Sequence, residues 1–141
     1  MPTRVPSDNE WGQLSAVFPG LNRANVFITD EPTPVYNCIA FSLGLTNVWI
    51  NPPQPLSAFQ ALYNNPPYNH PTLPAASGSA SIDGWATPAV GPTITQMTHG
   101  SRTSAAKPGL WESKLGQWFR ITHGRAELTG TSYGRIVTSF G

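Results

Sequence analysis

The sequence predicts an α+β fold in one domain spanning residues 1–141, and three observations lead there. Apolar residues recur at helical spacing in the first half of the chain, the period changes to the two-residue alternation of strands after residue 81, and the two regimes follow one another instead of interleaving. Helices first and strands afterwards argue against a βαβ repeat. A chain of 141 residues can bury one core but not two comfortable ones. The expected architecture is a set of short N-terminal helices, the one that begins at the cysteine among them, packed on an antiparallel sheet of about four or five strands.

Each element has its own signal. Residues 1–34 read as an N-terminal arm broken at Pro19-Gly20 and Asp30-Glu31-Pro32, with one helix about Glu10 to Phe18, where Trp11, Leu14, Val17 and Phe18 share a face. After Pro32-Thr33-Pro34, the run from Asn37 to Leu45 supports about two helical turns with Gly44 near the C-cap. Proline breaks at Pro52-Pro53 and Pro66-Pro67 flank Leu56 to Tyr63, a further helix that Ser57 would cap weakly. Residues 66–81, rich in Pro, Asn, Ala, Ser and Gly, hold too little apolar area to offset their ordering entropy and are expected to form a mobile loop. Ile82 to Ala86, Thr93 to Ser101, Leu110 to Leu115, Trp118 to Thr122 and Arg135 to Phe140 then read as strands separated by Gly or Pro.

Composition removes several function classes. Charged residues make up 11% and the net charge is +1, with Arg and Lys scattered, so no electrostatic footprint for nucleic acid is present. One cysteine permits no internal disulfide, and His70, His99 and His123 lack metal-ligand spacing, so neither metal nor cofactor is expected. Met1 to Gln13 has no apolar signal region and no stretch approaches the roughly 18 apolar residues of a membrane span. The expectation is a soluble chain without a signal peptide or membrane insertion. Delivery by a dedicated secretion machine, or excision from a larger polypeptide, would leave no trace.

The residues that carry chemistry centre on Cys38. At a helix start the partial positive charge and unpaired N–H groups push a thiol toward the thiolate. His99, in the strand-like Met97-Thr98-His99-Gly100-Ser101-Arg102, would supply the imidazole, with Met97, His99 and Ser101 on one face by the period of two. Adjacent residues Glu112 and Ser113 point to opposite faces, so at most one orients that ring. Parity with an inward Trp111 favours Ser113 and sends Glu112 to solvent, while Asn37 or a backbone carbonyl could also fill the role. His123 has the second claim on the imidazole role and reads by default as solvent-facing beside Gly124. Lys114 and Arg102 read as rim charges, and the five tryptophans as core. The bland alternative for Cys38 is a buried small hydrophobe.

Asn37-Cys38-Ile39-Ala40-Phe41 resembles the Asp-Cys-Ser-Gly-Leu start of the catalytic helix in NlpC-type papain-like hydrolases, and His99 followed by Trp111-Glu112-Ser113-Lys114 is similar to their histidine strand and the next one. The chain also resembles an uncharacterised family of small domains with a Tyr-Asn-Cys helix start, a Thr-His strand, a Trp-x-Ser-Lys-Leu-Gly strand and a closing Tyr-Gly. Here these are Tyr36-Asn37-Cys38, Thr98-His99, Trp111 to Gly116 and Tyr133-Gly134. Two departures stand out: Ser113 replaces a second histidine or other strong polar group, and Ile39 replaces a small residue.

The resemblance implies a papain-like fold and a thiol hydrolase. Cys38 would attack an amide carbonyl, His99 would act as base and then acid, and Ser113 would steady the ring. The Cys38 N–H and a donor from Tyr36 or Asn37 would hold the oxyanion. The implied substrate is a protein or peptide-like amide, through cleavage, side-chain deamidation or peptidoglycan amide hydrolysis. A toxin or effector domain with an immunity or carrier protein as partner is compatible with this. Two other readings compete: a binding module with a core cysteine and Asn51 to Pro74 as contact surface, and an immunity or adaptor protein that kept the fold without the activity.

Overall fold

A computed structural model describes residues 3–141. Helix α1 (Asp8–Val17) begins where Ser7 and Glu10 form a capping box, the Ser7 hydroxyl accepting from Glu10 N–H and the Glu10 carboxylate from Ser7 N–H. Arg4 locks this start by donating to Glu10 and Glu31. Helix α2 (Cys38–Ser42) is a five-residue turn of helix capped by Asn37. It stops because Gly44 adopts φ +83°, a left-handed conformation that costs glycine little. Helix α3 (Leu56–Asn64) follows Pro55 at its N-cap, with no side-chain cap, so Ser57 does not play that part.

Among the described residues seven strands form one sheet: β1 (Ile28–Asp30), β2 (Thr72–Leu73), β3 (Ile82–Thr87), β4 (Gln96–Thr103), β5 (Trp111–Lys114), β6 (Arg120–His123) and β7 (Arg135–Phe140). Their spatial order is β1-β6-β5-β4-β3-β7-β2, and every pair is antiparallel. This corrects the papain-like expectation of a cysteine helix packed on four or five strands. The molecule is mainly a seven-stranded sheet with few, short helices. The two additional strands are edge segments of three and two residues. β1 comes from the arm expected to be irregular. β2 falls inside residues 66–81, expected to be a mobile loop, whose backbone is tied down by Ala76 N–H on Ser139 Oγ and Gly141 N–H on Pro71 O, both at 2.9 Å.

The sheet separates two apolar clusters. On one face Leu14 of α1 and its C-cap residue Phe18 meet Ile28, Trp85, Ile121 and Leu128. On the other, α2 and α3 bring Cys38, Ile39, Phe59 and Tyr63 against Ile82, Met97 and Phe140. Two glycines allow the helices to approach. A Cβ on Gly84 would lie 2.6 Å from Phe59, and one on Gly100 would lie 2.9 Å from the Tyr63 hydroxyl and 3.3 Å from Ile39.

Candidate functional site

Cys38 occupies the first helical position of α2 because Asn37 fixes the chain there. The Asn37 Oδ1 accepts from Ala40 N–H at 3.2 Å and from Ile50 N–H at 3.1 Å, while its Nδ2 donates to Ile50 O at 2.7 Å. The asparagine is therefore occupied in joining the loop at Ile50 to the helix start. Tyr36 is likewise engaged, donating from its hydroxyl to Asp30 at 2.5 Å. Cys38 is 5% exposed and its thiol donates to Thr98 O at 4.0 Å. Burial pushes it up to about 11, against a smaller lowering by Gly100 N–H and by the Lys114 ammonium. At rest this is a neutral, enclosed thiol.

His99 lies on the other face. Its strand neighbour Gly100 faces α2 and α3, so the extended backbone turns His99 away from them, toward Trp85, its partner across the β3–β4 ladder. The simple alternation predicted that Met97 and His99 share a face. The register shifts between Trp85 and Ala86, which pair with His99 and Met97 and leave Thr98 as an extra residue, and this bulge reverses the parity. Met97 thus joins the α2–α3 cluster, while the His99 ring stacks on Tyr133 with centroids 3.9 Å apart and meets the edge of Trp85.

A hydrogen-bonded chain holds the ring. His99 Nε2 lies 2.9 Å from Ser113 Oγ, which lies 2.7 Å from His123 Nε2, and His123 Nδ1 lies 2.7 Å from Gly124 O. Burial lowers both imidazoles, His123 to about 4 and His99 well below its ordinary 6.5, so both are neutral at pH 7. The direction of the chain follows. A carbonyl only accepts, so His123 carries its proton on Nδ1 and its Nε2 is a lone pair. Ser113 has one proton and gives it to that lone pair, so its oxygen accepts from His99 Nε2–H. His99 Nδ1 is left with a lone pair and no proton. Among the described residues it is also the buried side-chain nitrogen or oxygen with no hydrogen-bond partner.

The sheet is open between these groups. β4 and β5 pair only at Arg102 with Glu112 and Thr103 with Trp111, so Thr98 to Ser101 and Ser113 to Lys114 have no ladder between them. Cys38 sits beside the opening on the α2 side, and the His99–Ser113 hydrogen bond spans it on the α1 side. The structure brings His99 and Ser113 together. No hydrogen bond joins Cys38 to either among the described residues.

Several expectations about the surroundings change. Glu112 does not go to solvent: it is buried, accepts from Thr29 and Ser104, and pairs with Arg120 at 3.0 Å. His123 is buried within the chain instead of facing water. Lys114 is not a rim charge. Its ammonium is enclosed, donates to Thr33 O and Gly116 O, and stands 4.9 Å over the Tyr36 ring. Sequence reasoning passed over Tyr133 and Trp85 as neighbours of His99. The run Tyr133-Gly134 carried a signal: Gly134 has φ +80°, and a Cβ there would overlap Ala86 O. That close approach anchors the chain next to Tyr133, whose carbonyl accepts from Thr98 Oγ1.

No three His, Cys, Asp or Glu side chains among the described residues are grouped so as to hold a metal ion, and no helix is long and apolar enough to cross a membrane. No curated protein and no solved structure matches the chain. A family model does match residues 27–141, from β1 to the end of the sheet and including Cys38 and the whole histidine chain, and the protein accordingly belongs to the family described as Domain of unknown function (DUF7689).

Proposed function

We propose that this protein is a thiol hydrolase in which Cys38 attacks an amide carbonyl and His99 is its general base. The observation that carries the reading is the His99 Nδ1 lone pair, fixed by the Ser113–His123–Gly124 chain and left without a donor. A buried acceptor is costly unless something donates to it. The thiol beside the open part of the β4–β5 ladder is the group whose proton it would take. Because Cys38 is neutral at rest, proton transfer accompanies attack instead of preceding it. As the C–S bond forms, the thiol proton passes to His99 Nδ1, and the amide breaks when His99 returns that proton to the leaving nitrogen. Water then releases the acyl group by the same route. Ser113 and His123 hold the ring in the one tautomer that can accept. Tyr133, stacked on His99, must shift for an acyl group to enter.

A binding module with a core cysteine is the second reading, favoured by the 5% exposure of Cys38 and its raised pKa. One experiment separates the two. The native protein is treated with p-nitrophenyl acetate and acylation is located by mass spectrometry. The hydrolase reading expects acetyl transfer to Cys38, abolished in Cys38→Ser and slowed about 100-fold or more in His99→Gln, within the range of general-base contributions. Ser113→Ala should slow it about 10- to 100-fold, since the ring then loses its fixed tautomer. A Cys38 that stays unmodified in the native protein and reacts only in denaturant makes it a core residue.

A further inference from the structure

Among the described residues the ion pairs of this chain leave four of its eight basic side chains, Arg102, Lys107, Lys114 and Arg135, without a carboxylate partner. All seven carboxylates are engaged: Asp8 by Arg23, Glu10 and Glu31 by Arg4, Glu112 by Arg120, Asp83 by Arg125, Asp30 by the Tyr36 hydroxyl, and Glu127 by Asn25 and Gly124 N–H. Arg135 donates to Pro88 O. Arg102 alone among the arginines has neither a hydrogen bond nor an ion pair within the described residues. It is half-buried, carried on β4 opposite Ile82 and Glu112, with its guanidinium 5.8 Å from the centre of the Phe41 ring.

Two hollows flank this guanidinium. One, of about 300 Å³, lies toward Phe41, Ala105, Glu112 and Arg120, where the Glu112 carboxylate already pairs with the Arg120 guanidinium. The other, of about 280 Å³, is bounded by Ser42, Gly44, His70, Ser81 and Ile82, and no carboxylate side chain lines it. The turn after α2 packs beside Arg102: Gly44 has a positive φ, and a Cβ there would lie in contact with Nη1 at 3.4 Å. His70 is held at the wall through Nδ1 on Gly141 O at 2.7 Å. The Ser81 hydroxyl makes no hydrogen bond of its own within the described residues, so it is available as a further donor.

We infer that the hollow between Gly44, His70, Ser81 and Arg102 is a binding site for a small oxyanion, a carboxylate or phosphate group, received on the planar fork of Arg102. Its volume lies at the small end of ligand pockets, which fits a group of that size or the acidic end of a larger ligand. The site is at the end of α2 remote from Cys38 and does not rest on the thiol reading.

The test is a titration followed by nitrogen–proton correlation NMR on the full chain, with sodium phosphate and sodium acetate as probes and sodium chloride holding ionic strength constant. Saturable shifts are expected at Arg102 Nε–H and at the Gly44 and Ser81 amides, with affinity falling at least 10-fold in Arg102→Gln. Saturation by phosphate alone assigns a phosphate-bearing ligand, and saturation by acetate alone a carboxylate. Shifts that rise without saturating, that chloride reproduces, or that persist in Arg102→Gln overturn the site. Should Arg102→Gln fail to fold, saturable behaviour of the wild-type Arg102 Nε–H against the chloride control decides alone.

Discussion

The two faces of the sheet are built by different physics. On the α2–α3 face the contacts beneath α3 are mainly aromatic and aliphatic, with the Ser42–Tyr63 hydroxyl pair at 2.7 Å and Gln60 donating to Thr138 as the polar additions. Phe59 and Tyr63 lie 5.0 Å apart, Tyr63 stacks on Phe140 at 4.4 Å, and glycines in the strands make room for them. On the α1 face an apolar cluster coexists with buried hydrogen-bonded polar sets: the chain His99–Ser113–His123–Gly124, open only at His99 Nδ1, and Asp83 accepting from Arg125 and Ser139. Burial of apolar area tolerates exchange of one apolar shape for another, whereas a buried polar set loses free energy for each member that is deprived of its partner. The candidate chemistry lies where these two constructions meet, at the open part of the β4–β5 ladder.

The largest effects should test that difference directly. Phe59→Ala and Asp83→Ala are each expected to cost about 3–5 kcal/mol in urea unfolding, the first by leaving a cavity under α3, the second by stranding the Arg125 guanidinium and the Ser139 hydroxyl. Conservative replacements should then separate the faces. Phe59→Leu should recover most of the loss, because shape is what matters there. Asp83→Asn should recover little, because Arg125 keeps its charge and lacks a counter-charge. Equal recovery at both positions would erase the distinction between the faces.

An effect of intermediate size should appear in acid. The folded pKa of His123 lies at about 4, lowered by burial from 6.5, so the unfolded chain binds its proton more readily than the native protein. Stability from this group is complete above pH 6.5, is lost as pH falls toward 4, and totals about 3 kcal/mol. His99, also lowered by burial, adds to the loss in the same direction. The groups acting on His123 are Gly124 O, Glu127 and Asp83, each of which raises its pKa by less than burial lowers it. In urea titrations from pH 7 to 4, His123→Gln should flatten the slope relative to wild type, whatever its effect at pH 7. An unchanged slope would mean that His123 is not buried neutral.

How much of this was readable in the sequence depends on whether a feature is local. Helix α3 and strand β7 were legible to within a residue because prolines bracket the first and Gly134 and Gly141 the second. β1 and β2 were not, since strands of three and two residues offer no alternation to detect. Parity did put Ser113 and not Glu112 on the face of the His99 ring, because β5 is regular. The same rule failed one strand earlier, where Thr98 is an added residue and nothing local marks the bulge. Glu112 and Lys114 were read as surface charges because their partners, Thr29, Thr33 and Arg120, come from other segments of the chain. Patterns in one strand give no view of such pairings.

The smallest expected effect probes whether the two faces communicate. Asn37→Ser keeps an N-cap oxygen for α2, since serine and asparagine cap about equally well, but removes both hydrogen bonds to the Ile50 backbone. Those bonds are only partly buried, so water can replace them, and the expected cost is about 1 kcal/mol. The substitution is neutral and acts wholly from the α2 side. It should therefore lower stability by the same amount at pH 7 and at pH 5, leaving the slope set by the histidines untouched. A changed slope would mean that displacing the start of α2 alters the solvation of His99 through the open ladder. In that case Cys38 and the imidazole chain form one energetically coupled unit, and the division of the sheet into two independent faces fails at this point.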